Sequence, residues 1–418
     1  MVVPFVERGF CGADGSAMGG LDWRRQGNAG SGYRGPTTFG STGIQLANCN
    51  IVRSSDLATL AVSAIDTPCR SDIPGANQSA RQTRETSMET RMAVLVTGSA
   101  GHLGEALMRT LRARGHQAFG IDLKPSAYTD IVGSITDRGT VRQAVGGVRS
   151  IIHAATLHKP HVETHSNREF LDVNIAGTLN LLEAAVAAGI ESFIFTSTTS
   201  AFGAALTPQA GEPAAWITEE VVPVPRNIYG VTKTAAEGFC ELFARKSKLS
   251  VVVLRTSRFF PESDDDGAIR SRYSLDNAQA NELLYRRVEL ADAVEAHLLA
   301  IEKAPDLRFA RYIISASTPF TPGDLAALRS NAPSVVHRLF PKSGELYRKL
   351  GWTMFPGIDR VYDNALARRQ LGWRPACDFQ HILDCLDAGK DWRSPLATAV
   401  GSKGYHDVGF GGQPYPAA

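Results

Sequence analysis

Short apolar-rich runs at 93–96, 117–121, 130–132, 150–153, 192–196, 250–254 and 311–314 read as strands. Several are continuously apolar rather than alternating, the mark of strands buried on both faces. Between them the apolar period lengthens: Leu103, Leu107 and Leu111 recur at i, i+4 and i+8, and Gly115 follows as a stop signal. A second helix, 167–188, carries Phe170, Val173, Leu181 and Leu182 on one apolar side. Strand and helix in alternation predict an α/β fold, a doubly wound parallel sheet with its ligand crevice at the strands' carboxyl ends. Beyond Pro261 the alternation weakens. Residues 258–393 therefore read mainly as a smaller C-terminal substrate lobe, with strand 311–314 returning to the sheet domain of 92–257. The Gly- and Pro-containing tail, 394–418, is expected to fray.

Residues 1–91 do not fit this pattern. They are rich in Gly, Ser, Thr and Arg, hold no sustained apolar period, and contain no lysine; the first lysine of the chain is Lys124. Such a composition does not offset the entropy of ordering. The segment reads as a disordered extension or as a stretch upstream of a true start near Met88 or Met92. Its acidic residues and lack of an amphipathic period weigh against a targeting peptide. For the whole chain, 418 residues with 43% hydrophobic content suffice for a large core, and a net charge of +2 without a long basic run excludes nucleic acid and anionic membrane as partners. No apolar stretch approaches the ~20 residues that span a bilayer. Six cysteines, Cys11, Cys49, Cys69, Cys240, Cys377 and Cys385, show neither metal nor redox-pair spacing, so reduced thiols and a cytoplasmic location are expected.

The chemistry begins where the first apolar run collapses into Thr97-Gly98-Ser99-Ala100-Gly101-His102-Leu103-Gly104. Gly98 permits a tight turn, Gly101 lets backbone approach a diphosphate, and Gly104 lets the following helix pack closely on the strand. The helix start adds free N–H donors and a partial positive charge. This is the Rossmann dinucleotide fingerprint, with residues 98, 100, 101, 102, 103 and 104 (Gly98, Ala100, Gly101, His102, Leu103, Gly104) as the cofactor-binding set. The next strand ends in Asp122, placed to accept hydrogen bonds from the adenosine ribose and to repel a 2′-phosphate, which favours NAD over NADP. Lys124, two residues on, softens that preference.

Tyr229 and Lys233 stand at i and i+4, sharing one face of a helix about 6 Å apart. An ammonium beside a phenol favours the phenolate and lowers its pKa, making it a base for a hydroxyl proton. The strand at 192–196 leads into Thr196-Ser197-Thr198-Thr199-Ser200, hydroxyls at the crevice end of the sheet, one of which is expected to hold the substrate oxygen.

Taken in order, Thr97-Gly98-x-x-Gly101-x-x-Gly104, His153-Ala154-Ala155, Asn174-x-x-Gly177-Thr178, the hydroxyl strand, Tyr229-x-x-x-Lys233 and Leu371-Gly372-Trp373-x-Pro375 make the chain resemble an extended short-chain dehydrogenase/reductase of the NAD-dependent epimerase/dehydratase group, which includes UDP-glucose 4-epimerases. The similarity spans roughly residues 92–386. It implies Tyr229 as general base and acid, Lys233 as its partner and a nicotinamide-ribose ligand, and Thr198 as the catalytic hydroxyl, with Ser197 as the fallback. It implies Asn174 as a helix-kinking asparagine, Ala154, Ala155 and Thr156 beside the nicotinamide, and homodimer pairing through the helices bearing Tyr229 and 167–188.

Departures from the family pattern bear on the substrate. Ser134-Ile135 stands where an Asp-hydrophobe pair usually flanks adenine, Arg258 falls in the run where a phosphate-touching asparagine is usual, and Phe355 stands near a usual diphosphate-binding arginine. Arg258, Arg286, Arg287 and Arg360 offer guanidinium groups for an anion instead. Thr198, Thr199, His158, Arg258 and Arg287 form the expected substrate-binding set. His158, His161 and His165 lack the carboxylate or thiolate company of a zinc site, so no metal is expected. The acidic run Glu262-Ser263-Asp264-Asp265-Asp266 reads as a solvated loop. The resulting expectation is an epimerase or dehydratase acting on a sugar or nucleotide-sugar through a keto intermediate. A net NAD(P)-dependent dehydrogenase/reductase of a small substrate is the alternative with the same residues, and a non-catalytic dinucleotide sensor is the alternative without chemistry.

Overall fold

The structure, a computed structural model, describes residues 92–264 and 266–404; the reading of the first 91 residues, with Cys11, Cys49 and Cys69, lies outside the described residues, as does the tail beyond residue 404. Seven strands form one sheet: β1 (Ala93–Thr97), β2 (Gln117–Asp122), β3 (Ile131–Val132), β4 (Ser150–His153), β5 (Ser192–Thr198), β7 (Ser250–Thr256) and β8 (Phe309–Ile314). All pairs are parallel, in the order β3-β2-β1-β4-β5-β7-β8. This is the doubly wound Rossmann sheet expected from the sequence. The chain reverses its direction of winding between β1 and β4, and the crevice opens there at the carboxyl ends.

Alternate residues of each strand face opposite layers. Val94 and Val96 of β1 pack against Leu107, Met108 and Leu111 of α1 (His102–Ala113) and, beyond them, Val294, Leu298 and Ile301 of α7 (Leu290–Leu307). Leu95, Ile151, Phe193 and Val251 face the other layer, built around α2 (Arg138–Ala144), α3 (Asn167–Ala188) and α4 (Ile228–Lys246). By length and composition α3 would suffice to cross a membrane, yet its Leu181, Leu182 and Ala185 are buried in this layer. Within α3, residues Leu171–Gly177 form a π-turn.

The smaller lobe contains α5 (Gly267–Arg272), α6 (Leu275–Leu283), α8 (Leu325–Leu339), α9 (Ser343–Leu350) and α11 (Phe379–Asp387), while α10 (Ala365–Gln370) packs back on β8. Its core gathers Tyr273, Leu284, Phe320, Leu328, Val336 and Phe355. Phe355 packs edge-on against Tyr273 at 4.8 Å, so it is a core residue there. A two-stranded parallel pair, β6 (Ala215–Ile217) with β9 (Arg360–Tyr362), escaped the sequence reading because three residues carry no resolvable period.

Two boundaries differ from expectation. β5 runs on to Thr198, so three of its five hydroxyl residues lie in the strand. Their side chains are satisfied by neighbours: Thr196 Oγ1 lies 2.9 Å from His297 Nε2, and Ser197 Oγ donates to Glu237 at 2.6 Å. The tail expected to fray from 394 instead forms α12 (Pro395–Val400), with Ser394 accepting from the N–H of Ala397 as its N-cap and Val400 buried. Ser394 also donates to Glu289 at 2.7 Å. Serine then proline is a favourable helix start, and this one packs on α1 and α7.

The closeness of α1 to β1 is testable. A Cβ on Gly104 would sit 1.9 Å from the carbonyl oxygen of Gly98. Gly104→Ala is expected to destabilise the protein by ~1–3 kcal/mol, as overpacking against backbone does, and a urea midpoint equal to that of the unaltered protein would refute the close approach.

Candidate active site

The glycine turn after β1 is shaped for close contact. Gly98 has φ +74°, and a Cβ there would meet the backbone nitrogen of Ala155 at 2.8 Å. Gly101 donates its N–H to Gly98 O at 3.0 Å. α1 starts at His102 after an N-cap glycine with no side-chain cap, which sets a helix start and its partial positive charge beside the turn. At the end of β2, Asp122 accepts the N–H of Ala100 on one oxygen (3.0 Å) and that of Lys124 on the other (2.9 Å). These bonds hold the carboxylate beside the turn, where ribose hydroxyls would meet its remaining lone pairs. A cradle that a methyl group would fill, an uncapped helix start and a fixed carboxylate together fit a dinucleotide.

β4 is tied to this turn from behind. Thr97 Oγ1 lies 2.7 Å from His153 Nδ1 and accepts the N–H of Ala155 at 3.1 Å, while His153 Nε2 meets Thr178 Oγ1 at 2.9 Å. Burial, with Lys233 nearby, holds His153 well below its ordinary pKa, so the imidazole is neutral. Ala154, Ala155 and Thr156 follow at the carboxyl end. Thr156 donates to Asn174 Oδ1 at 2.9 Å, and Asn174 also accepts the N–H of Leu157 and donates to Thr232 Oγ1 at 3.0 Å. The π-turn of α3 is what aims Asn174 at both the β4 loop and the helix that carries Tyr229.

That helix, α4, is capped by Asn227 and begins one residue before Tyr229. Tyr229 and Lys233 are both buried. Thr198 is the polar side chain beside the phenol. Thr198 Oγ1 accepts the N–H of Ser200 at 3.0 Å, which leaves its own hydrogen to donate. Burial pushes the Tyr229 pKa up to about 12 against the lowering effect of that hydroxyl. The sequence reading had Lys233 lowering it. Instead the Lys233 ammonium stands 4.0 Å above the ring of Phe195, and burial brings its own pKa down to about 7. Desolvation outweighs the mutual effect of the two groups because both lie out of water.

One turn beyond Lys233 lies a group the sequence reading missed. Glu237, 1% exposed, accepts from Ser197 Oγ (2.6 Å) and pairs with Arg255 Nη2 (2.7 Å) and with Arg311 Nε (3.0 Å). It binds α4 to β5, β7 and β8 at once. The clue was available: a glutamate at i+8 from Tyr229 and i+4 from Lys233 shares their buried face.

The expected substrate-side residues divide. Thr199 opens the 3₁₀ turn after β5, and the His158 ring lies tilted against Phe260 at 5.1 Å and edge-on to His161 at 4.6 Å. Arg258 pairs with Asp264 at 3.0 Å, Arg286 with Asp264 and Glu282 at 2.8 Å each, and Arg287 with Glu282 at 3.0 Å while donating to Phe260 O. Arg287 is thus buried framework rather than an open anion grip. The same contacts correct the reading of 262–266 as a solvated loop: Glu262 and Asp264 are buried, because cations on facing elements draw them in. Two arginines beside Asp264 hold its carboxyl far below the ordinary range.

A family model described as "NAD dependent epimerase/dehydratase family" matches residues 94–308. An uncharacterized protein, y4nG, of Sinorhizobium fredii is 33% identical over 167 residues, 38% of this chain and 39% of that relative, so the chain spans well under half of its length. A 3 beta-hydroxysteroid dehydrogenase/Delta 5→4-isomerase of Mycobacterium tuberculosis is 26% identical over 357 residues, 73% of this chain and 93% of that relative. Among solved structures, a short-chain dehydrogenase/reductase superfamily protein from Agrobacterium tumefaciens with bound NAD superposes with TM-score 0.51 at 24% identity, covering 70% of this chain and 95% of that one.

Two substitutions test the buried charges. Lys233 is close to 7 when folded and 10.5 as a free side chain. Between those values the unfolded chain holds a proton that the native site lacks, so stability rises with pH across that window and carries the whole cost of the buried charge below it. Lys233→Met is therefore expected to raise stability by a few kcal/mol at pH 7, the gain shrinking toward pH 10.5 in urea melts. Glu237→Gln leaves two arginines facing a neutral amide. A loss of roughly 3–5 kcal/mol is expected, as for other broken buried pairs, and an unchanged melting curve would remove Glu237 from its bridging role.

Proposed function

This chain belongs to the NAD dependent epimerase/dehydratase family, and on that premise we propose that it is an NAD-using enzyme of the extended short-chain dehydrogenase/reductase type that epimerises or dehydrates a sugar or nucleotide-sugar. The observation that carries the reading is the buried pair Tyr229 and Lys233 on α4, with Thr198 at the end of β5 beside the phenol. NAD, when bound, supplies a hydride acceptor and donor. Gly98, Gly101, the N–H groups of His102 and Leu103, and Asp122 would hold it, with Ala154, Ala155 and Thr156 on its nicotinamide side.

The protein's part is proton management. Tyr229 Oη takes the proton of a substrate hydroxyl as the neighbouring C–H bond gives up its hydride, leaving a ketone. Thr198 holds the same oxygen by hydrogen bond, so the phenol faces one hydroxyl. With a phenol pKa near 12, the neutral form predominates at physiological pH. A positive charge arriving with the oxidised dinucleotide is what would favour the phenolate. When hydride returns to the carbonyl carbon, Tyr229 returns the proton. Asn174 keeps α4 and the β4 loop in register through both steps.

A second reading, a net dehydrogenase releasing its reduced cofactor, is favoured by the extent of the match to the mycobacterial steroid dehydrogenase, which covers nearly all of that relative. Arg258, at the position of the family's usual asparagine and held by Asp264, also marks a substrate grip unlike the ordinary nucleotide-sugar one. α3 and α4 expose Leu171, Val186 and Val231, which supports a homodimer through these helices. A cytoplasmic location completes the proposal.

Tyr229→Phe is expected to bind NAD as the unaltered protein does and to turn over ~100-fold more slowly or worse, the scale of lost general acid–base catalysis. An undiminished rate would end this mechanism. Protein purified without added cofactor is expected to carry NAD and to turn over unsupplemented. Stoichiometric consumption of added NAD would instead select the dehydrogenase.

A further inference from the structure

We propose that residues 401–404, the strap that follows α12, clasp the diphosphate end of the dinucleotide site and retain the cofactor between turnovers. The inference rests on the NAD reading of the glycine turn and adds to it a segment outside the matched region 94–308.

The strap reaches the amino end of α1 at three points. Ser402 Oγ donates to Glu262 Oε1 at 2.7 Å. The N–H of Lys403 lies 3.2 Å from the same oxygen and 3.0 Å from His102 Nε2. The ammonium of Lys403 pairs with Glu105. His102 is the first residue of α1, and its Nε2 stands 2.8 Å from Glu262 Oε1. All of His102, Glu105 and Glu262 are buried.

Charge gives this arrangement its purpose. Glu105 lies in the first turn of α1 and Glu262 contacts the side chain of that helix's first residue, so two carboxylates belong to the helix end toward which a diphosphate would be drawn. Like charges close together in a poorly hydrated site repel strongly. Glu105 is nonetheless held below its ordinary pKa by Lys403 and Arg109, and so stays ionised. Its field on the diphosphate is cancelled only while those cations are in place, and Lys403 comes from the strap. Ser402 and the Lys403 backbone likewise satisfy Glu262 and keep it turned to His102. With the strap docked, the amino end of α1 presents its N–H groups to the diphosphate with the carboxylates neutralised. With the strap lifted, Glu105 keeps Arg109 but loses its second cation, and the same end becomes more acidic. α12, packed on α1 and α7, anchors the strap from one side.

A clasp of this kind suits an enzyme that must hold the reduced cofactor until the hydride returns. NADH binding is the probe, followed by fluorescence titration and by stopped-flow displacement. The full chain, a chain ending at Val400, Lys403→Ala, Glu105→Gln and the double variant Lys403→Ala/Glu105→Gln are compared. Truncation and Lys403→Ala are each expected to raise the NADH Kd tenfold or more, chiefly through faster dissociation. In the double variant the loss should fall to within threefold of Glu105→Gln alone, because the carboxylate that Lys403 neutralises is gone. Lys403→Ala, a surface-side change, keeps the test sound if truncation impairs folding. NADH affinities of both strap variants within twofold of the full chain would overturn the clasp while leaving the NAD reading intact. A full chain that binds no NADH would instead overturn the reading on which the clasp rests.

Discussion

Seven strands running in one direction place seven carboxyl ends on one edge, and every functional feature of this protein depends on that constraint. The glycine turn follows β1, Asp122 ends β2, Ala154 to Thr156 follow β4, Thr198 ends β5, and Arg258 comes two residues after β7. None of these groups is near another in sequence. Parallel pairing requires a crossover between strands, each crossover returns the chain to the same starting edge, and the reversal between β1 and β4 opens a crevice in that edge. The register then fixes heights: Thr97 is paired with His153, His153 with Phe195, and Thr198 with Thr256.

A parallel sheet buried on both faces also makes its catalytic edge dry, and the electrostatics follow from that. The Lys233 ammonium rests over the face of Phe195 rather than in water, and the Tyr229 phenol has the Thr198 hydroxyl beside it. Glu237 supplies the buried negative charge of this region and is answered by Arg255 and Arg311. Such a cluster contributes little net stability, since desolvation offsets the Coulomb gain. What it does is fix α4 against three strands, so that Tyr229 and Thr198 meet. The same economy governs the rim, where Asp264 sits between Arg258 and Arg286 and Glu262 against His102.

The sequence determined those features that depend on local period or on one residue's unique geometry. Apolar runs gave the strands to within one or two residues, because a doubly buried strand has no alternative composition. Gly98 and Gly104 announced the turn, because no side chain fits at +74° against Ala155 or against Gly98 O. Tyr229 and Lys233 were legible as an i, i+4 pair, whereas the residues alone left open which hydroxyl at the end of β5 stands with them, and only the family resemblance pointed to Thr198.

Tertiary structure alone decided which charges are partners. Glu237, a member of the buried face of α4, gains its meaning only from Ser197, Arg255 and Arg311, which lie 18 to 74 positions away along the chain. The acidic run at 262–266 looks solvated by composition, and Asp266 is exposed, yet arginines and His102 draw Glu262 and Asp264 inward. The tail's Lys403 lies 298 positions from Glu105. Propensity and period are properties of neighbours along the chain, whereas ion pairs and desolvation are set by what the folded sheet brings together, and no spacing in the sequence encodes them.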